Sequence, residues 1–465
     1  MKVMIGLETH VQLRTASKLF CACPTKSTGP NSNVCPICMG FPGTKPALNA
    51  KAVEIGTEIA LALKCEIAPE MWFSRKSYFY PDLPKGYQIT QYEVPLAGNG
   101  TAEFSVGGGK KKSVRIRRVH VEEDPAKLEH EEGIMNACRV LVDYSRSGTP
   151  LCEIVTEPDF DSAAEAKSYL DWLFSLLSYL EAIDPQGDAV MRSDANISID
   201  GGERVEIKNI TGAANVESAL KSEINRQIGL LNLGKRIAAR ETRLFDDATG
   251  RTVALRRKEA EDDYGYIFEP DLPTVAMAET SCRVKRRMRE MPEEALVRLG
   301  RSGVAQEMAA AIVFTPGLLA YFDAVVREYR RPVEAAKWIS KDFLKCLNWN
   351  SFSVRDAPEP AAIVELLTMI DRGDVTERAA KDLIKDVVGK KTGPRELLAA
   401  VSAGGAESEE NVIAGVIAAN EKAVAEFKAG KTSTLQFLVG EVMKRSRARI
   451  DPRKARELLE KALSG

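Results

Sequence analysis

Histidine is nearly absent, with three residues in 465. So few imidazoles leave little support for a histidine-rich metal site, and without a GxSxG stretch a Ser/His triad has little either. An excess of either charge is lacking too: 65 Lys and Arg against 66 Asp and Glu give a formal net charge of −1. Such a balance exerts no global pull on nucleic acid, so any such partner must be held by a local patch. No apolar run approaches the roughly 20 residues needed to span a bilayer. The opening MKVMIGLETHVQL alternates apolar and polar residues instead of presenting the apolar core of a signal peptide. The expectation is a cytoplasmic protein. Tandem repeats and low-complexity tracts are missing. A phosphate loop is missing as well, because GGGKKKS at 107 to 113 has no Ser or Thr after Lys110 and no Gly five residues before Gly109. It reads as a hairpin turn.

What is present describes a folded chain, 44% hydrophobic and 28% charged. At about 150 residues per domain, its length suggests two to four domains. Period-two stretches at 3–13, 101–106, 113–123, 139–144, 151–157, 190–200 and 204–210 predict strands, and helical spacing predicts helices over 47–64, 162–182 and 215–233. From about 290 the texture turns to Ala, Leu, Glu and Lys at helical spacing. The fold class is therefore α+β: a body over 1–290, a helical domain over 291–400, and a small helical tail over 405–465 after the linker-like VSAGGAESEEN at 401–411.

Four of the nine cysteines crowd into FCACPTKSTGPNSNVCPICMG at 20–40. Cys21 and Cys23 form a CxC and Cys35 and Cys38 a CxxC. Each short turn aims two thiolates at one point, the usual arrangement of a closed tetrahedral zinc site. Two disulfides or four unrelated thiols compete with that reading. The other five cysteines are scattered and odd in number, as in a reducing compartment.

Alternation also sorts the strand faces. In VMIGLETHVQL, Val3, Ile5, Leu7, Thr9, Val11 and Leu13 make one face, and Glu8, His10 and Gln12 the other. In RSDANISID, Arg192, Asp194, Asn196, Ser198 and Asp200 oppose Ser193, Ala195, Ile197 and Ile199; in RVEIKNI, Glu206 and Lys208 oppose Val205 and Ile207 across a DGGE turn suited to a hairpin. Glu122, Glu123 and Asp124 end another strand, and Glu153 lies among Leu151, Ile154 and Val155. A carboxylate there is costly to bury without a cation or hydrogen bonds, and a hard cation such as Mg²⁺ satisfies several oxygens at once. The competing reading is that each strand has a solvated outer face carrying surface ion pairs.

GLETHVQL, PNSNVCPICMGFPGTKPALN, SRKSYFYPDLPKGYQITQYE, VHVEEDPAKLEH, VDYSRSGTPLCEIVTEPD and RSDANISI, with TLQFLVGEVMKRSR in the tail, resemble the B subunit (GatB) of the tRNA-dependent amidotransferases. The resemblance covers the whole chain. It implies a cradle-like catalytic body with a mixed or antiparallel sheet, a helical domain and a YqeY-like tail. It also implies an ATP-dependent ligase that phosphorylates the Glu or Asp carboxylate on misacylated Glu-tRNA(Gln) or Asp-tRNA(Asn) and then amidates it. Ammonia comes from the amidase (A) subunit, and the complex is completed by a small (C) subunit. The chain is too short for the inserted domain of the related archaeal protein (GatE).

Carried over by position, the resemblance puts Mg²⁺ ligands at His10, Glu123 and Glu153 with Glu8 beside them, and catalytic roles at Lys76, Glu123, Glu153 and Asp194. Lys76, Glu8, Asn196 and Ser198 line the ATP cavity. Cys21, Cys23, Cys35 and Cys38 match the zinc-bearing branch, which makes zinc structural. Lys444, Arg445, Arg447, Arg449, Arg453, Lys454 and Arg456 become the tail's tRNA-binding patch. Where many members read YRYFPEPD, this chain reads YGYIFEPD, so Gly265 replaces an arginine. Two rivals stand beside this reading: a non-catalytic zinc-knuckle tRNA-binding protein, and a Mg²⁺-dependent phosphodiesterase.

Overall fold

In the computed structural model the described residues are 1–130, 139–187, 190–246, 249–257, 265–390, 392–403, 409–428, 433–445, 450 and 452–463. The chain divides into two units, Met1–Met291 and Pro292–Gly465.

The first unit carries sixteen described strands: β1 (Val3–Gln12), β2 (Glu66–Ile67), β3 (Glu70–Met71), β4 (Ser74–Ser77), β5 (Tyr87–Thr90), β6 (Ala97–Val106), β7 (Lys110–Glu123), β8 (Lys127–His130), β9 (Val140–Asp143), β10 (Pro150–Thr156), β11 (Met191–Ile199), β12 (Val205–Thr211), β13 (Glu241–Asp246), β14 (Arg251–Arg257), β15 (Gly265–Phe268) and β16 (Val275–Ala276). Nine form one sheet in the order β14-β13-β12-β11-β1-β10-β7-β6-β2. Only β12 and β13 run parallel there, so the sheet is mixed. A three-stranded sheet β15-β4-β5 and the pairs β16-β3 and β8-β9 complete the unit.

The apolar strand positions form the buried side of the large sheet. Ile5, Leu7, Val11, Val119, Val121 and Ala195 are at most 1% exposed. Three helices pack against the strands: α1 (Ala50–Ala62) on β6 and β7, α2 (Ala163–Tyr179) on β6, and α3 (Ala213–Asn232) on β11 and β12. Helix α2 starts where the Ser162 side chain accepts a hydrogen bond from the Glu165 amide, with Glu165 in its first turn. Its Tyr169 packs against Phe160 and Phe104 at ring-centre distances of 5.3 and 5.7 Å. Helix α1 approaches closely because residue 56 is glycine; a Cβ there would stand 2.9 Å from Val121 Cγ2.

Turn chemistry fixes the strand pairing. Gly107–Gly109 joins β6 to β7, with Val106 opposite Lys110, so the glycine run is the expected hairpin turn. Between the paired β11 and β12, Asp200 and Gly201 have φ of 46° and 73°, the positive values of a tight turn that the Gly202 amide closes on the Ile199 carbonyl.

The described part of the second unit is helical, from Pro292–Arg301 to Pro452–Leu463. Its last four helices, Glu409–Ala419, Glu421–Lys428, Ser433–Arg445 and Pro452–Leu463, enclose a core in which Leu438, Val442, Ala455 and Leu459 are 0% exposed. The linker expected at 401–411 falls partly outside the described residues; 401–403 end the helix Pro394–Ala403. Among the described residues no single helix is long and apolar enough to cross a membrane.

Candidate functional site

Strand β1 lies between β10 and β11, and register aligns the polar positions. His10 faces Glu153 on one side and Arg192 on the other; Glu8 faces Asp194; Glu153 in turn faces His120 on β7. Since directly opposed residues point to the same side, one sheet face carries His120, Glu122, Glu153, His10, Glu8, Asp194, Asn196, Glu206 and Lys208.

Two carboxylate clusters result. In the first, His10 Nε2 lies 3.3 Å from Glu153 Oε2 and 3.5 Å from Glu122 Oε1. His120 Nε2 lies 3.2 Å from Glu153 and 3.6 Å from Glu122. Thr90 Oγ1 donates to Glu122 Oε2 at 2.9 Å. Burial alone would strip the charges here, but the imidazoles and carboxylates reinforce one another. Although burial favours a neutral ring, Glu153 and Glu122 push His10 up to about 9. His120 rises in the same way, through Glu153 and Glu122. Glu153 is held well below the carboxylate range against its burial, through His120 and His10, and Glu122 is lowered through His120.

In the second cluster, ligand oxygens of Glu8, Asp194 and Glu206 converge. Lys208 Nζ lies 3.3 Å from Asp194 and 2.9 Å from Glu206, and Asn196 Nδ2 donates to Glu8 Oε1 at 2.8 Å. Burial raises the Glu8 carboxyl, and Glu153, Asp194 and Glu206 raise it further. Lys208 is also raised, by Asp194 and Glu206 against its burial. Asn196 Oδ1 is buried with no hydrogen-bond donor. Crowded carboxylates beside an unsatisfied amide oxygen are the donor set a hard cation takes. In each cluster three ligand atoms lie within 4.8 Å of one another.

The structure places Glu123 elsewhere. Its neighbour Glu122 shares strand parity with His120, so the Glu123 carboxylate emerges on the opposite side of β7. There Lys85 Nζ reaches both oxygens at 2.5 and 2.6 Å, and the Ile89 amide donates at 2.8 Å. The residue gathered with His10 and Glu153 is Glu122. The apolar Val119 and Val121 beside it were the sequence signal for this, and the same signal marked His120.

Lys76 sits on β4 opposite Gln88 of β5 and Tyr266 of β15, its ammonium 5.6 Å from the Tyr78 ring centre. It shares a face of the small sheet with Ser74, which is paired with Thr90, the residue that touches Glu122. Ser198 continues the polar row of β11 beyond Asn196, opposite Met4. Gly265 lies opposite Ser77, where a Cβ would meet only ordinary contact at 3.6 Å, so the backbone does not demand glycine.

Cys21, Cys23, Cys35 and Cys38 do converge, with all four sulfurs within 4.8 Å of one another and none in a disulfide. The Cys35 amide donates to Cys38 Sγ at 3.1 Å. Cys38 is pulled down to about 5, first by the hydrogen bond from Cys21 and also by Lys18, while Cys21 is raised in exchange. Four converging cysteines with no disulfide among them fit zinc.

In the tail, Lys444, Arg445, Arg453, Lys454 and Arg456 are exposed, Lys454 pairing with Glu409 at 2.9 Å. Arg447 and Arg449 lie outside the described residues.

Residues 3–283 match the family described as the GatB/GatE catalytic domain, and residues 320–463 match the GatB domain. The chain is 40% identical to the B subunit of the aspartyl/glutamyl-tRNA(Asn/Gln) amidotransferase of Methanococcoides burtonii, covering 99% of this chain and 98% of that one. It is 38% identical to the corresponding protein of Carboxydothermus hydrogenoformans, over 100% and 99%. With both domains matched in order and full-length similarity to these relatives, the chain belongs to the family of B subunits of the tRNA-dependent amidotransferases.

Proposed function

We propose that the polar sheet face is the phosphorylating and amidating centre of a glutamine-dependent tRNA amidotransferase. The γ-phosphoryl group of ATP passes to the misplaced Glu or Asp carboxylate on the tRNA 3′ end and ADP leaves. Ammonia then attacks the acyl carbon and phosphate departs. His10, Glu122 and Glu153 would hold one Mg²⁺, and Glu8, Asp194 and Glu206 would suit a second, supplying positive charge opposite the phosphates. Asn196 and Ser198 line the cavity for ATP, and Lys76 approaches it from the small sheet. Zinc at the four cysteines is structural. The basic tail residues contact tRNA. The amidase (A) subunit supplies ammonia, a small (C) subunit completes the complex, and the reaction runs in the cytoplasm.

One observation carries this reading: two cation-suited clusters are joined through Glu8 and His10, successive same-side residues of one strand and so about 7 Å apart along it. That spacing suits holding a chain of phosphates against an acceptor. The test gives the assembled complex free ammonia in place of glutamine, bypassing the amidase site. Glu153→Ala should bind misacylated tRNA and form neither acyl phosphate nor amidated tRNA. Normal amidation with ammonia would place these carboxylates in ammonia delivery or in coupling between the subunits instead. A non-catalytic tRNA-binding protein would show no ATP hydrolysis dependent on aminoacylated tRNA, and a phosphodiesterase would cleave the tRNA.

A further inference from the structure

Lys18 is 0% exposed, one of the largest side chains in the protein to be fully buried. A buried ammonium is ordinarily paired with a carboxylate, because the desolvation cost of an isolated charge is severe. Lys18 has none within ion-pair distance among the described residues; its Nζ contacts Cys38 Sγ at 3.8 Å and the Tyr144 carbonyl at 3.4 Å. Glu123, which lines the same cavity, is taken by Lys85. Chain geometry holds the lysine in place. Its amide donates to the Cys23 carbonyl and its own carbonyl accepts from Asn49, so the backbone that carries it is tied to the first cysteine turn. Gly148 borders the lysine stem, where a Cβ would make only ordinary contact with Lys18 Cδ at 3.5 Å; its φ of +83° is what calls for glycine.

A neutral cysteine cluster gives no reason to bury a cation here. Four deprotonated thiolates around Zn²⁺ do, because the centre then carries a net charge of −2 and is itself buried on the Cys21 and Cys38 side. We infer that Lys18 is the internal counter-cation of the four-cysteine zinc centre, a positioning residue whose buried charge beside Cys38 sets how tightly the metal is kept. This rests on the zinc reading above. The ammonium and the Cys35 amide approach the same sulfur, so charge and hydrogen bonding converge on Cys38 in particular. Partners of this kind, acting on a metal ligand rather than on the metal, typically change metal affinity 10- to 100-fold.

The experiment uses the full-length chain. Zinc content is measured, then the rate at which a chelator removes zinc, in wild type, Lys18→Met and Lys18→Arg. Met matches the stem without the charge, and Arg keeps the charge. Lys18→Met should release zinc at least about tenfold faster, while Lys18→Arg stays close to wild type. Thermal unfolding supplies a readout that mere packing would not move. In a Cys21→Ser/Cys23→Ser/Cys35→Ser/Cys38→Ser background, Lys18→Met should be neutral or stabilising, since the buried charge has lost its counter-charge; with zinc present it should destabilise.

Wild type without zinc would sink the zinc reading and this one with it. Zinc-loaded wild type with unchanged release from Lys18→Met would overturn this inference alone. Equal zinc loss from Lys18→Met and Lys18→Arg would overturn it too, by making shape rather than charge the cause. If Lys18→Met does not fold with the cysteines present, Lys18→Gln is read by the same criteria, and a four-serine background that fails to rescue folding of Lys18→Met overturns the inference.

Discussion

On the large sheet, the groups suited to a metal are positioned by strand register, with His10, His120 and Lys208 already balancing the carboxylates. In the cysteine loop the four sulfurs sit on two short turns, and a single buried lysine meets one of them, Cys38 Sγ. The first arrangement exists before any ion arrives and can bind and release one as reaction requires. The second has like groups crowded without enough counter-charge, so an ion bound there would be part of what holds the loop in shape. Preformed and self-compensated suits catalysis; incomplete without metal suits structure.

The comparison breaks most visibly at β7. Glu122→Ala should abolish acyl-phosphate formation by two orders of magnitude or more, whereas Glu123→Gln should keep phosphoryl transfer in the folded fraction while losing stability. Removing the Glu123 charge strands a buried Lys85 and should cost about 3–5 kcal/mol, read by urea unfolding. The opposite pattern would restore Glu123 to the metal set.

Next in size is Cys35→Ser, which should bind less zinc and lower the melting temperature by several degrees, with little change in turnover per folded molecule. Retained full zinc would remove the four-thiolate assignment. Deleting residues 405–465 should weaken tRNA binding and flatten its salt dependence by about 0.7 or more in log–log slope per lost phosphate contact. Glutamine hydrolysis by the partner should persist.

A smaller effect is expected in pH. In metal-free protein the raised His10 stabilises the fold fully below its unfolded value of about 6.5, and that contribution is lost as pH rises through about 9. The lowered Glu153 acts oppositely: its contribution is present above about 4.5 and lost as pH falls below it. Urea midpoints should therefore decline from pH 7 to 9.5, and His10→Asn should flatten that decline. The smallest change is at Gly265, where Ala should shift stability by no more than about 0.5 kcal/mol.

How much of this was legible in sequence depended on strand length. The ten-residue β1 and the nine-residue β11 display their parity openly, so Glu8, His10, Asp194 and Asn196 could be placed on one face without coordinates. Strands β4, β5 and β15 have four residues each, too few for period two to stand out, and the small sheet carrying Lys76 went unseen. Glu122 was different: Val119 and Val121 displayed the parity, but positional carry-over from the family selected the next residue. Glu206 was placed on its polar face, yet its meeting with Glu8 depended on a β11–β12 register, shifted between Ser193 and Ala195, that no spacing reveals. Lys18 was invisible because nothing in a sequence marks a lysine for burial.

The central position of β1 has a consequence for synthesis. Its partners come much later in the chain: Leu7 is bonded to a residue 149 positions on, and Glu8 to one 188 positions on. At about 5–20 residues per second, a ribosome needs roughly 10–40 s to deliver both neighbours. Throughout that interval Ile5, Leu7 and Val11 lack the strands that cover them, so the opening segment of the nascent chain is where a chaperone has most to protect.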